Sequence, residues 1–539
     1  MRRKWYLGFG ILLIAFVAAV IALLLLVHAD PWWVYGWLIL VFGSLGLIAI
    51  YDLLQRKHTI LRNFPILGHM RYILEFFRPE IQQYFVATDT SERPYNRQQR
   101  SLIYSRAKKA EDTLAFGTEH DINTVGYEWG LHSLAAKPHK EVEDRITVGN
   151  HLCKQPYSAS HLNASAMSFG ALSKNAVMAI NKGAKMGNFY QNTGEGGLTE
   201  YHLQGGDVVL QIGTGYFGFR THDGNFDPEK FKQKASHESV KMIEIKMSQG
   251  AKPSHGGVLP KEKLSKEIAA IRDVPLGEDV ISPPTHKAFS TPEELCHFLT
   301  KLRELTDGKP VGFKLAIGRK TEFLAICKAM LKTEVYPDFI TVDGAEGGTG
   351  AAPAEFTNYL GLPLEDALAF VHNALVGCNI RQYIRIIASG KHVTGFDMVK
   401  RMAIGADMIN VARPMMMAVG CIQSRTCNTN TCPVGVATQK KRLIRALNVE
   451  DKKTRVYHFH DKTIKSFLEI VGGMGFNSPL DIKASRIMRR TGTNTVASLE
   501  SIYHYATPGS LLDHNDQSIP DQLAPFWRNA QSNSFEDRT

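Results

Sequence analysis

Val311-Gly312-Phe313-Lys314-Leu315-Ala316 is followed by a helix-like segment over Glu322–Lys332 and then by Phe339-Ile340-Thr341-Val342-Asp343. Two short apolar runs, rich in β-branched and aromatic residues, flank one stretch of helical periodicity. Strand, helix and strand in alternation predict a parallel βα unit. The same texture extends in both directions. Upstream runs lie near Leu162–Ser168, Asn188–Asn192, Val208–Gly213 and Met242–Ser248, and downstream runs near Arg385–Ser389 and Met408–Ala412. Helix-like segments cover Lys174–Lys185, Pro292–Leu305 and Gly395–Ile404. Eight such units between residues 145 and 440 predict an α/β chain folded as a (β/α)8 TIM barrel.

A barrel of this kind places its chemistry at the C-terminal ends of its strands. Here those ends are Ser165-Ala166-Met167-Ser168-Phe169-Gly170, Asn192-Thr193-Gly194-Glu195-Gly196-Gly197, Ser248–Gly257, Asp343–Gly350, Ser389-Gly390 and Ala412-Arg413, with Lys314 on strand five. Glycine at so many strand ends lets backbone N–H groups approach a ligand closely. Gly-rich loops after strands seven and eight are the usual barrel phosphate site. Together, in barrel order, these residues point to a phosphorylated, flat cofactor.

Ser165–Ser173, Gly194–Gly197, Gln249–Pro260, Gly347–Pro353 and Thr431–Gln439 resemble the FMN-binding synthase domain of glutamate synthase. The resemblance covers roughly Asp144 to Leu480, and the segments Arg62–Gly68 and Arg78–Tyr84 before it are similar to stand-alone, membrane-anchored members of that family. It implies FMN as cofactor, held by Ala166, Met167, Ser168, Asn192, Lys246, Gln249, Lys314, Gly347, Gly348, Thr349, Ser389, Gly390, Ala412 and Arg413. It implies reductive amination of 2-oxoglutarate by ammonia, with a hydride from reduced FMN. Lys314 is then the candidate cation beside the flavin's N1 and C2. Lys252 and Arg319 are candidate partners of the substrate carboxylates. Glu195 is the candidate proton donor, with a pKa raised by burial.

Cys421, Cys427 and Cys432 have C-x5-C-x4-C spacing. Thiolates suit iron–sulfur clusters, and three ligands suit a three-iron cluster with one corner empty. The segment is similar to the family's 3Fe-4S loop. The sequence also departs from the family. Full enzymes read Gly-Glu-Gly-Gly after Ala-Lys-Pro, where this chain has Ser254-His255-Gly256-Gly257, and Ser-Gly-His-Asp where it has Asp343-Gly344-Ala345-Glu346. Both changes sit at strand ends, so an FMN-dependent dehydrogenase of another amino or hydroxy acid is the alternative expectation.

The N-terminal residues read differently. Leu7–Val27 and Trp32–Tyr51 are uncharged apolar runs joined by His28-Ala29-Asp30-Pro31. Each reaches about 30 Å as a helix, enough to span a bilayer. Arg2, Arg3 and Lys4 precede the pair and Arg56, Lys57 and Arg62 follow it. Residues 1–55 are therefore expected to form a two-helix transmembrane hairpin in the cell membrane, with both ends and the catalytic domain cytoplasmic. Residues 56–144 are expected to be a mostly helical connector, and residues 441–539 a helical extension ending in a loosely ordered tail after Leu512.

The chain of 539 residues is 44% apolar and 21% charged, a globular composition. Seven cysteines, three of them clustered, argue against a secreted disulfide framework. A net charge of +11 fits an anionic partner, but no nucleic-acid-binding motif is present. The start is basic and apolar rather than a catalytic cysteine, so no N-terminal-nucleophile glutaminase is expected and ammonia is expected from outside. No dinucleotide-binding Gly-rich turn stands outside the barrel. Electrons are expected through the cluster from an acidic ferredoxin-like donor, the membrane quinone pool or a neighbouring membrane complex.

Overall fold

The computed structural model describes residues 32–513 and 519–537. The first expected span, Leu7–Val27, lies outside them. The chain divides into two compact units between Arg97 and Gln98.

The first unit contains helix α1 (Trp32–Leu54), whose segment Tyr35–Leu54 is long and apolar enough to cross a membrane. One such helix is present among the described residues, so a hairpin is not seen there. Its last turn carries Asp52, fully buried, which accepts hydrogen bonds from the Ile66 amide at 3.0 Å and pairs with His69 Nε2 at 3.0 Å. Helix α2 (Leu67–Ile81) follows and runs into a wider turn over Gln82–Val86.

The second unit holds the barrel. Its strands are β1 (Leu162–Ala164), β2 (Tyr190–Asn192), β3 (Asp207–Ile212), β4 (Val240–Lys246), β5 (Val311–Leu315), β6 (Phe339–Asp343), β7 (Arg385–Ser389) and β8 (Met408–Val411). All are parallel and in sequence order, and β8 closes on β1 through Ile409↔Leu162 and Asn410↔Asn163. The expected eight-stranded barrel is therefore the observed one. Strands buried on both faces read as apolar runs, which is why they were legible.

The helices are α3 (Lys174–Gly187), α4 (Pro228–Ala235), α5 (Pro292–Leu305), α6 (Lys320–Thr333), α7 (Leu364–Gly377), α8 (Gly395–Ile404), α9 (Arg413–Val419) and α10 (Val449–Gly473). Local chemistry sets their ends. Ser173 caps α3 through Ala176 N, and capping boxes start α5 (Thr291, Glu294) and α8 (Thr394, Asp397). Two connections break the barrel pattern. Between β2 and β3 there is only a short turn of 3-10 helix, Glu200–His202. Between β4 and α5 lies an insertion with a small hairpin (Val258–Leu259 with Val280–Ile281) and the helix Lys266–Arg272.

An antiparallel hairpin, Arg145–Val148 with Tyr157–Ser160, stoppers the N-terminal end of the barrel. Its Ile146, Val148, Tyr157 and Ala159 join Tyr190, Val209, Met242, Phe339, Ile387 and Met408 in one buried cluster. Each large apolar side chain so buried contributes about 1.5–3 kcal/mol. Deeper in the barrel, Glu244 accepts hydrogen bonds at 2.7 Å from Asn192 Nδ2, Gln211 Nε2 and Thr341 Oγ1. A buried carboxylate is tolerable because three donors satisfy it. With the N-terminal end filled, ligand access is confined to the C-terminal mouth.

Helix α10 packs on α3 where Gly183 has no side chain, since a Cβ there would come 2.6 Å from Val456 Cγ1. His460 on α10 bonds the Leu162 carbonyl at 3.0 Å and stacks on Phe189, so the extension completes the barrel wall. Two expectations fail here. Residues 108–144 are mostly irregular rather than helical, and their strand Glu128–Gly130 pairs with Ile487–Arg490 in a small sheet. Partners remote in sequence supply what local periodicity did not. The residues beyond Leu512 are not loose where described. Helix Ala524–Asn529 docks on α6, with Lys328 Nζ 4.6 Å over the Trp527 ring and donating to the Ala530 carbonyl at 2.9 Å.

Candidate active site at the C-terminal mouth of the barrel

The site is built around Glu195, in the loop after β2. Asn192 sets that loop: its Oδ1 accepts from the Gly194 amide at 3.0 Å, while its Nδ2 is committed to Glu244. Asn192 is thus a brace beneath the site rather than one of its exposed ligands. Gly194 has φ +64°, and a Cβ there would sit 2.7 Å from the Ser168 amide. The turn therefore needs glycine for both conformation and approach. It presses the loop onto the end of β1.

Glu195 Oε1 lies 3.0 Å from Lys246 Nζ, at the tip of β4, and Oε2 accepts from Ser282 Oγ at 3.2 Å. Gly257 and Gly213 make room for it: a Cβ at Gly257 would fall 2.0 Å from Oε1, and one at Gly213 2.6 Å from its Cβ. Burial alone would raise the Glu195 pKa. The charge and hydrogen bond of Lys246, then the charges of Arg272 and Lys252, outweigh burial and hold it below the ordinary carboxylate value. This reverses the expectation of a raised pKa, because sequence showed the burial but not the ring of cations.

The cations are themselves buried. Burial lowers Lys252 to about 8, against the opposing pull of Glu195, and its Nζ donates to the Ala351 carbonyl at 3.0 Å. Burial lowers Arg272 to about 10, with Glu195 opposing. The Arg272 guanidinium donates to the Phe169 carbonyl at 3.2 Å and lies 5.2 Å over the Phe217 ring. His286, pushed by burial to about 4, bonds the Lys246 carbonyl at 2.9 Å and so stays neutral behind it.

Lys314 reaches the same rim from β5, but it is paired with Asp343 Oδ2 at 3.3 Å, which also accepts from the Gly250 amide at 2.8 Å. Gly250 packs flat on the Gly344 carbonyl, where a Cβ would clash at 1.8 Å. Across the mouth, Ser389 Oγ stands 3.4 Å from Ser165 Oγ. Arg413 donates to the Glu346 carbonyl at 2.7 Å and lies along Gly348, whose Cβ would come 2.7 Å from its Nε. Gly348 and Thr349 are exposed, and Ala166, Ser168, Gln249, Gly347, Gly390 and Ala412 are partly so, with Met167 buried beneath them.

The matching family description, a conserved region in glutamate synthase, spans residues 102–477, more than half of the chain. The chain belongs to the glutamate synthase family. It is 36% identical to the glutamate synthase large subunit-like protein YerD of Bacillus subtilis (strain 168), over 92% of this chain and 98% of that one. It is also 36% identical to the archaeal glutamate synthase (NADPH) of Methanocaldococcus jannaschii, over 61% of this chain but 62% of that one. Among solved structures, mandelate oxidase is a distant likeness, at 14% identity and a TM-score of 0.41 over 74% of this chain and 98% of that one. Membership makes the chain a glutamate synthase-type oxidoreductase, a class acting on CH–NH2 donors.

Against the expectations drawn for such a family member, Glu195, Lys246, Lys252 and Lys314 converge on the mouth. Arg319 does not join them. Its guanidinium is exposed, pairs with Glu322 and donates to the Phe535 carbonyl at 3.4 Å. Arg272 and Ser282 were missed, since both lie in the insertion after β4, where no strand-end signal marks them.

Cys421, Cys427 and Cys432 share the loop after α9. Burial, and then their mutual charge, pushes the Cys421 thiol up to about 12, and Cys427 also upward. Among the described residues no three His, Cys, Asp or Glu side chains are gathered as a metal site. Lys263, another insertion residue missed in the sequence, donates to the Cys427 carbonyl at 3.3 Å and to the Ala171 carbonyl at 2.7 Å.

Proposed function

We propose that this chain reductively aminates 2-oxoglutarate to glutamate at the barrel mouth, with FMN as cofactor, ammonia as nitrogen source and electrons relayed through a 3Fe-4S cluster. The observation carrying this reading is the density of buried cations around one carboxylate. Lys246, Lys252 and Arg272 all act on Glu195, and all three are buried. A substrate with two carboxylates needs such a surplus, because every carboxylate taken from water must be paired.

The strand ends fit FMN. Arg413, the exposed Gly348 and the part-exposed Gly390 offer a cation and backbone without side chains for its phosphate. Ala166–Ser168, Gln249 and Lys314 would border its ring. When bound, FMN supplies the hydride that reduces the substrate imine. The chain's own residues do the rest. Lys252 and Arg272 orient the two carboxylates. Glu195, held ionised, begins as a proton acceptor for the ammonium that condenses with the ketone, and returns the proton as water leaves. The insertion after β4 shields these steps from bulk water.

The cysteine loop suits an iron–sulfur cluster by donor type: three soft thiols on one loop, with the buried Lys263 ammonium beside them to offset thiolate charge. The donor is a one-electron carrier, a ferredoxin-like protein or the quinone pool. Helix α1 is proposed as a membrane anchor. Its Trp37, Leu40 and Leu47 are 63%, 60% and 71% exposed, which suits hydrocarbon rather than water. Arg56, Lys57 and Arg62, just after that helix, support a cytoplasmic side for the barrel under the positive-inside rule.

The test is an anaerobic assay of FMN-loaded protein with 2-oxoglutarate, ammonia and a reduced one-electron donor. Ammonia-dependent glutamate formation supports the reading. No glutamate with any donor, but flavin reduction by another amino or hydroxy acid, replaces it with a dehydrogenase.

A further inference from the structure

We infer that α2 and the turn after it lie flat on the anionic face of a bilayer as an interfacial helix. This rests on the membrane reading of α1 and extends it.

Leu67, Met70, Leu74, Phe77, Ile81 and Phe85 recur every three or four residues and so share one helix face. That face is not buried by protein: Leu74 is 55%, Phe77 50% and Phe85 85% exposed. An apolar stripe of this length is costly in water, and a bilayer surface covers it along its whole length. Arg71, which pairs with Glu75 at 3.1 Å, and Arg78 stand one turn either side of Leu74, where long basic side chains lie over apolar neighbours and extend toward headgroups. Residues 56–81 carry Arg56, Lys57, Arg62, Arg71 and Arg78 against only Glu75 and Glu80. The net positive charge selects anionic lipid.

The fold also sets the depth. Asp52 in the last turn of α1 holds the Ile66 amide at 3.0 Å and His69 Nε2 at 3.0 Å. The first turn of α2 is thereby tied to the end of the apolar helix, at headgroup level if α1 spans. A helix leaving that point with an apolar stripe and basic flanks stays at the interface.

The test uses the full chain in vesicles of phosphatidylcholine and phosphatidylglycerol. Photoreactive benzoylphenylalanine replaces Phe77, Tyr84, Gln83 or Leu47 in turn. We expect lipid adducts from positions 77, 84 and 47, and several-fold fewer from position 83. Arg71→Glu with Arg78→Glu should lower phosphatidylglycerol adducts at position 77 several-fold without changing those at 47. Adducts at 47 with none at 77 and 84 overturn the interfacial helix and leave the anchor standing. Protein adducts at 77 and 84 overturn it in favour of a docking partner. No lipid adduct at any position overturns both readings.

Discussion

Lys246 Nζ, at the tip of β4, stands 3.0 Å from Glu195 Oε1, in the loop after β2, and the pair is nearly closed to solvent. Two strands' ends are joined by one ion pair at the mouth of the barrel. Glu195 is therefore an ionised group awaiting a proton, not a buried acid holding one.

Glu195→Gln removes the acceptor and leaves Lys246 buried without its counter-charge. Activity should fall by roughly 100- to 10,000-fold, and stability at neutral pH by about 3 kcal/mol. Because the folded pKa lies below the ordinary value of 4.5, the wild-type contribution is fully present above that value and is lost as pH falls through the folded one. Urea unfolding should show wild type and variant converging as pH falls below the ordinary carboxylate value of 4.5. A difference that persists undiminished in acid would sink the assignment.

Lys252 has a pKa lowered to about 8, so the free enzyme loses this cation as pH rises through that value. The kcat/KM for a dicarboxylate substrate should decline above about pH 8. Lys252→Arg keeps its charge and should shift that alkaline limb upward. An unchanged limb would remove Lys252 from substrate binding.

Gly257→Ala places a Cβ 2.0 Å from Glu195 Oε1 and must displace the carboxylate. A displacement of that size costs on the order of 100-fold in activity, with about 1–3 kcal/mol of stability. Gly318→Ala, with nothing within 4 Å, is the control and should change stability by less than about 0.5 kcal/mol. Steady-state kinetics beside thermal melts would separate the two.

If the cysteine loop holds the cluster, Cys427→Ser should abolish most bound iron and its visible absorbance while leaving the flavin bands. Cys296→Ser, a buried thiol on α5, should leave iron content unchanged. Equal iron in all three proteins, wild type included, would exclude these ligands.

The barrel was legible because each strand and each cap is a local statement. Val311–Leu315 and Phe339–Asp343 announce themselves by five consecutive buried residues, and Thr291 and Thr394 cap their helices within three residues. The Gly-rich strand ends were readable for the same reason, as was the cysteine spacing. The small sheet of Glu128–Gly130 with Ile487–Arg490 was not, since its strands lie more than 350 positions apart and neither is apolar enough to mark itself.

The amino-acid order alone determined the barrel, its strand sequence and the identity of most residues at its mouth. Tertiary structure alone decided what those residues are electrically. Glu195 meets Lys246, Lys252, Arg272 and Ser282, drawn from one loop, one strand tip and an insertion of no recognisable pattern. Periodicity reports which side of an element faces inward. The sign of a pKa depends on distances to charges that folding brings together, and Coulomb energy in a buried site follows those distances rather than sequence separation.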